Sequence, residues 1–267
     1  MQKTFNPEPA FLMYKNELCF AERLADAAAE RVLKYFRQPL DVQNKDDASP
    51  VTVADKEAEA VMRDMIARDF PDCGIVGEEF GRENENAEFV WVLDPVDGTR
   101  SFITGKPVFG TLVALMHDKK PVLGVINQPY TKERWTGAKG MQTLFNGCPV
   151  STRKGVPLNK AFMYSTGGRG MFSKQEQRRF DTLEGRVALT RYSSDCYAYG
   201  LLSMGCIDIV CEAGMKLYDY AALVPVVEGA GGVMSDWAGN GLDAKSDGTV
   251  LALGDAALFP EVAEALK

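Results

Sequence analysis

A chain of 267 residues with 46% hydrophobic content can bury a large core, as one domain or as two closely joined halves. Its formal net charge of -7 argues against nonspecific nucleic-acid binding, which needs a basic footprint, and leaves much of the acidity to face cations. No apolar run approaches the roughly twenty residues of a membrane span, and the N-terminus lacks a charged-then-apolar signal, so a cytoplasmic protein without membrane contact is expected. The six cysteines form no C-x-x-C pair and His117 is the only histidine, which argues against zinc sites and disulfide frameworks.

In chain order, residues 9–36 carry Ala, Leu and aromatic residues at helical spacing, and residues 52–69 predict a second helix that Pro71 and Asp72 end. In that second helix Ala58, Val61, Met62, Met65 and Ile66 share one side, and Asp55 sits in the first turn, where a negative charge is favoured. From 75 to 151 the text becomes strand-rich, with 111–116, 122–126 and 134–137 separated by turn residues, which predicts an antiparallel sheet. After 160, apolar runs at 161–165, 187–190, 207–211 and 249–253 alternate with helical stretches near 172–183, 196–204, 219–230 and 256–266, the pattern of a layered α/β unit. The expected organisation is an N-terminal α+β half, 1–155, and a C-terminal α/β half, 156–267, joined as one compact unit without internal repeats.

The chemistry concentrates at Trp91-Val92-Leu93-Asp94-Pro95-Val96-Asp97-Gly98-Thr99. Phe89–Leu93 is a continuous apolar run of the kind covered on both faces, and Pro95 lacks the donor an inner strand needs, so the strand is expected to end at Asp94. Pro95 fixes its own φ and Gly98 permits close backbone approach, so Asp94, the Val96 carbonyl and Asp97 can converge on one small volume. Carboxylates that close are tolerable when a divalent cation neutralises them, when one is protonated, or when both face water. Glu78 and Glu79 follow a short strand released by Gly77, and Asp219 precedes an apolar stretch ending in Gly229-Ala230-Gly231-Gly232, where an N-cap belongs. Each piece alone is also open to a plain reading: an Asp-rich turn, a capping Asp219, or a first-turn charge at Asp55.

Taken together, in order and spacing, Asp55 in T-V-A-D, Glu78 after V-G, D-P-V-D-G-T at 94–99, and Y-D-Y-A-A through G-A-G-G at 218–232 resemble the inositol monophosphatase superfamily of magnesium-dependent, lithium-sensitive phosphatases. The resemblance implies a layered αβαβα sandwich of helix pairs and sheets, with the active site between the halves. By matching position it implies that Glu78, Asp94 and the Val96 carbonyl hold one Mg²⁺ while Asp94, Asp97 and Asp219 hold a second, and the family admits a third, weaker ion near Glu78. It further implies an attacking water beside Glu78 and the Thr99 hydroxyl, Asp55 orienting Thr99, and Asp97 with the Gly98 and Thr99 N–H groups at the phosphate. A homodimer is expected on the same ground.

Within the superfamily, Ser101–Pro107, Gln128-Pro129, Glu133–Trp135, Asp195–Gly200 and Leu217–Tyr220 resemble the histidinol-phosphate phosphatase branch, whereas Asn127, where an aspartate is common, and Gly167–Gly170 depart from it. Glu212 matches the position that grips the leaving-group side, and Asp195 precedes a helix start, where capping is an equal reading. Two acids suit an amino alcohol bearing an imidazole better than a neutral polyol. The expectation is therefore a phosphomonoesterase acting on L-histidinol phosphate. The alternatives are inositol-1-phosphate and, in a different class, a noncatalytic metal-dependent regulator on the same fold.

Overall fold

The computed structural model describes residues 14–39, 43–44, 50–167 and 171–267. The first helix, α1 (Lys15–Val32), lies inside the predicted 9–36; the part of that expectation before residue 14 falls outside the described residues. After two-residue strands β1 (Gln43–Asn44) and β2 (Pro50–Val51), α2 spans Val53–Asp69 behind a Thr52 cap whose hydroxyl accepts the Ala54 N–H. A face of α2 at helical spacing is buried, and it changes character along its length: Asp55 and Glu59 at the N-terminal end, Met62 and Ile66 at the other.

Eight strands form the larger sheet: β3 (Gly74–Gly77), β4 (Gly81–Glu83), β5 (Phe89–Asp97), β6 (Gly110–His117), β7 (Lys120–Gln128), β8 (Glu133–Ala138), β9 (Leu144–Phe145) and β10 (Cys148–Pro149), in the order β10-β9-β8-β7-β6-β5-β3-β4. Pairing is antiparallel throughout except between β3 and β5. A short helix, α3 (Thr99–Ile103), follows β5 directly. The second sheet is mixed, with order β12-β11-β13-β15-β14, from β11 (Phe162–Ser165), β12 (Leu189–Tyr192), β13 (Ile209–Glu212), β14 (Val233–Ser235) and β15 (Val250–Leu253). Its helices are α4 (Lys174–Glu184), α5 (Tyr197–Ser203), α6 (Leu217–Tyr220), α7 (Leu223–Gly229) and α8 (Phe259–Ala265).

Strand alternation sets the layers. In β5, Trp91 and Leu93 pack on α1 and α2, whereas Val90 and Val92 face Tyr199 and Leu202 of α5 and Val226 of α7. In β13, Ile209 and Cys211 join Phe180 of α4 and Val262 of α8, whereas Val210 turns toward the central helices. The order is thus helices α1 and α2, the large sheet, helices α5 to α7, the small sheet, then α4 and α8, the five-layer sandwich expected. Asp94 shares the parity of Val90 and Val92, and Glu212 that of Val210, so both acids project from their sheets into the central layer.

Three expectations are corrected in detail. The β5 strand does not stop at Asp94 but resumes at Asp97, paired with Gly110, after a bulge; Pro95 sits in that bulge, where no ladder donor is needed, and its carbonyl accepts the Thr111 hydroxyl at 2.8 Å. The single helix predicted over 219–230 is two helices, because Pro225 has no N–H and its ring clashes with the carbonyl four residues back. Asp219 is consequently the third residue of α6 rather than its cap, and its carboxylate reaches back to accept the Lys216 N–H at 2.6 Å.

Candidate active site

Three chain segments meet in the central layer. The end of β5 brings Asp94 and Asp97, and α6 brings Asp219; one carboxylate oxygen of each lies within 4.8 Å of the others. Glu78, released from β3, lines the same cleft of about 540 Å³ together with Thr99, Asp195 and Glu212. Asp94 is fully buried, and one of its oxygens accepts the Val96 N–H at 3.1 Å, which folds the bulge around it. Asp97 accepts the Cys196 N–H at 2.6 Å, so a carboxylate from the large sheet anchors the entry to α5. Gly98 adopts φ +82°, and a Cβ there would come within 2.7 Å of the Asp195 carboxyl, so glycine is the residue that lets α3 and the 193–196 loop touch.

Such crowding of acids has an electrostatic signature. Burial first, then the Glu78 and Asp97 charges, holds the Asp94 carboxyl well above the usual range; burial and the Asp195 charge do the same to Asp97. Burial raises Asp195, opposed by the Ser101 hydroxyl that donates to it at 2.5 Å and by the Lys106 and Arg100 charges. Glu212 is pushed up to about 8, mainly by burial, although the Thr166 N–H at 3.0 Å and hydroxyl at 2.9 Å both donate to it. Oxygen-only donors in a cleft that resists their combined ionisation fit a hard divalent cation, whose charge removes the repulsion.

Asp55 and Thr99 are not joined as expected. The Thr99 hydroxyl donates to the Val96 carbonyl at 3.2 Å, while Asp55 accepts the Thr52 N–H at 3.0 Å and hydroxyl at 2.5 Å through one oxygen. Its other oxygen is buried with no hydrogen-bond partner, and burial raises the carboxyl to about 6. The reason is local: the β-conformation of Thr52 puts its donors within one turn of Asp55 and captures the carboxylate before it reaches α3.

Asp195 does not cap α5 with its side chain, which turns to Ser101 instead; its backbone takes φ +46°, a conformation aspartate tolerates. Of the aromatic residues in the segments resembling the histidinol-phosphate phosphatase branch, Tyr199 lines the cleft, whereas Trp135 is buried against Phe145 and Tyr197, and the Tyr197 hydroxyl donates to Glu133. Asn127 lies away from the cleft lining, buried, accepting from Arg134 at 2.9 Å. Gly167 lines the cleft, and Gly168–Gly170 fall outside the described residues. His117 bonds Tyr14 at 2.9 Å and stacks on Phe89, which makes it part of the scaffold. Sequence reasoning missed Arg100 and Lys106, the basic residues among the described cleft lining, and Thr166 and Ser193; Arg100, Lys106 and Ser193 were signalled only by lying near the acidic motifs in sequence, and Thr166 by nothing.

The fold and the acidic cleft define a metal-dependent phosphatase architecture, and the comparisons agree. The chain matches the inositol monophosphatase family model over residues 13–267 and belongs to that family. It is 46% identical over 253 residues to the bifunctional phosphatase IMPL2, chloroplastic, of Arabidopsis thaliana, covering 91% of this chain and 73% of that protein. It is 35% identical over 224 residues to a histidinol-phosphatase of Chlorobaculum parvum, covering 84% of this chain and 86% of that one. Among solved structures, an inositol monophosphatase from Zymomonas mobilis superposes with a TM-score of 0.88 at 45% identity, covering 95% of this chain and 98% of the other. The chain is therefore a phosphoric monoester hydrolase of a metal-dependent family.

Proposed function

We propose that the enzyme is a Mg²⁺-dependent phosphomonoesterase that hydrolyses L-histidinol phosphate to L-histidinol and phosphate. The observation that carries the substrate assignment is the pair of acids, Glu212 and Asp195, that face the cleft beside the three-aspartate cluster. Their hydrogen bonds come from Thr166 and Ser101, leaving acceptor capacity for an amino alcohol whose α-ammonium, a charged donor, would draw Glu212 into its carboxylate form and whose imidazole adds an N–H donor. The histidinol-phosphatase of Chlorobaculum parvum among the relatives supports the same substrate. Inositol-1-phosphate is the second reading, favoured by the 45% identity with the Zymomonas mobilis inositol monophosphatase. A noncatalytic regulator is disfavoured because Glu78, Asp94, Asp97 and Asp219 are all retained.

Glu78, Asp94 and the Val96 carbonyl would hold one Mg²⁺, and Asp94, Asp97 and Asp219 a second, with room for a weaker third beside Glu78. When bound, Mg²⁺ supplies cancellation of oxyanion charge, acidification of water and stabilisation of the leaving alkoxide. Glu78 and the Thr99 hydroxyl, at the ends of the adjacent strands β3 and β5, would align the attacking water, and the Thr99 oxygen is free to accept because its proton goes to the Val96 carbonyl. The N–H groups of Gly98 and Thr99, where β5 passes into α3, would donate to the phosphoryl oxygens. Asp55 fixes the α2 end of the site through Thr52 and stands close enough to Glu78 to feel its charge. We also propose a cytoplasmic homodimer.

The direct test compares kcat/KM for L-histidinol phosphate and inositol-1-phosphate at equal, saturating Mg²⁺. A preference of about 10²-fold or more for histidinol phosphate is expected, the worth of one or two charge-assisted hydrogen bonds. Preference for inositol-1-phosphate would reject the assignment.

A further inference from the structure

We propose that Glu59 is the positioning residue for Glu78: its buried carboxylate is the anvil on which the chain turns out of β3 to aim Glu78 into the cleft. The proposal rests on the reading of Glu78 as a cation ligand. Glu59 lies one helical turn beyond Asp55 on the buried face of α2 and is 0% exposed. One oxygen accepts the Glu79 N–H at 2.7 Å; the other accepts the Phe80 N–H at 3.1 Å and the Arg63 guanidinium at 2.8 Å. A carboxylate buried beside an acidic cleft is thereby compensated by three donors, one of them charged.

The geometry leaves little slack on either side of Glu78. Its own N–H donates to the Leu93 carbonyl of β5 at 3.2 Å, and the next two N–H groups are taken by Glu59. At Gly77, immediately before it, a Cβ would stand 1.9 Å from a Glu59 oxygen, so the strand can pass over the carboxylate only as glycine. Arg63 closes the arrangement by donating to the Gly81 carbonyl at 2.5 Å, past the turn, and by facing Glu83 at 3.6 Å. From Gly77 to Gly81 the backbone is thus bound to one ion pair of α2, and Glu78 is the member of that run whose side chain enters the cleft. Groups that orient ligands in this manner are typically worth 10–100-fold in metal affinity.

The test uses Glu59→Gln, which keeps the volume but presents an amide NH₂ to donors that require an acceptor. Mg²⁺ is titrated calorimetrically into the metal-stripped, substrate-free protein, and the Mg²⁺ concentration for half-maximal activity is measured in parallel. About a tenfold or greater weakening is expected in both, with substrate KM at saturating Mg²⁺ within about twofold of the parent. A residue that only supported the fold would lower the unfolding temperature and leave Mg²⁺ affinity in place, and that result would overturn the proposal. Should Glu59→Gln fail to fold, Arg63→Met retains the carboxylate but removes its counter-charge; a weaker shift in the same direction supports the assignment, and unchanged Mg²⁺ affinity overturns it. Glu78→Gln separates the two claims. If it loses Mg²⁺ affinity while the Glu59 and Arg63 variants keep theirs, the positioning role alone is wrong; if Glu78→Gln binds Mg²⁺ like the parent, the ligand reading falls and takes the positioning role with it.

Discussion

Asp94→Asn is expected to lower kcat by at least about 10³-fold, equivalent to about 4 kcal/mol of barrier, while the metal-free protein becomes more stable rather than less. Both signs follow from one fact. Asp94 is a buried carboxyl pressed by Glu78, Asp97 and Asp219, so ionising it without a cation is unfavourable, and an amide relieves that repulsion while its oxygen still accepts the Val96 N–H. The same charge is the one both proposed cations share, so its loss should erase the rise in unfolding temperature that Mg²⁺ gives the parent. Calorimetric scans with and without Mg²⁺ check the pair of signs, with a gain of roughly 3 °C for the metal-free variant corresponding to about 1 kcal/mol in a chain of this size. A variant that hydrolysed phosphate esters like the parent would remove Asp94 from the mechanism.

Glu212→Gln is expected to cut kcat/KM for L-histidinol phosphate by about 30–150-fold and to affect inositol-1-phosphate much less, because the polyol offers only neutral donors. A pH signature accompanies it. Glu212 titrates near 8 in the folded protein against 4.5 for an exposed glutamate, so between those values the folded state holds a proton the unfolded state has lost. Stability therefore falls as pH rises from 4.5 to about 8 on account of this group, and Glu212→Gln lacks that part of the fall. The variant should melt above the parent at pH 8 in the absence of ligand, and the two should converge toward pH 4. A parent no less stable than the variant at pH 8 would show that Glu212 carries no such strain.

Much of the acidic cleft was legible because its parts are short, local and rigidly spaced. The D-P-V-D-G-T run sets two acids and a left-handed glycine side by side in the sequence, although Pro95, expected to end the strand at Asp94, instead sits in a bulge after which the strand resumes at Asp97. Pattern also separated the two sheets, since the strands over 111–137 follow one another through turns alone, whereas the apolar runs after 160 alternate with helical stretches. What the sequence hid was any partnership across distance. In sequence nothing distinguishes Glu59 from the other acids of its helix, and only the approach of β3 explains why it is buried beside Gly77. Thr52 took the Asp55 carboxylate that was expected at Thr99, a competition between one-turn capping and a tertiary contact that spacing cannot resolve. The bond of Asp97 to the α5 entry and that of Ser101 to Asp195 likewise span about a hundred residues and leave no periodic trace.

The central claim is that Glu78, Asp94, Asp97 and Asp219 form one cradle in which cations and a phosphoryl group meet. Anomalous diffraction from crystals of the protein soaked in Mn²⁺ tests it most directly, because Mn²⁺ accepts the same oxygen donors as Mg²⁺ and is visible by its own scattering. Two peaks sharing Asp94, one toward Glu78 and one toward Asp97 and Asp219, are the predicted result. Peaks elsewhere, with this cluster empty at saturating Mn²⁺, would contradict it.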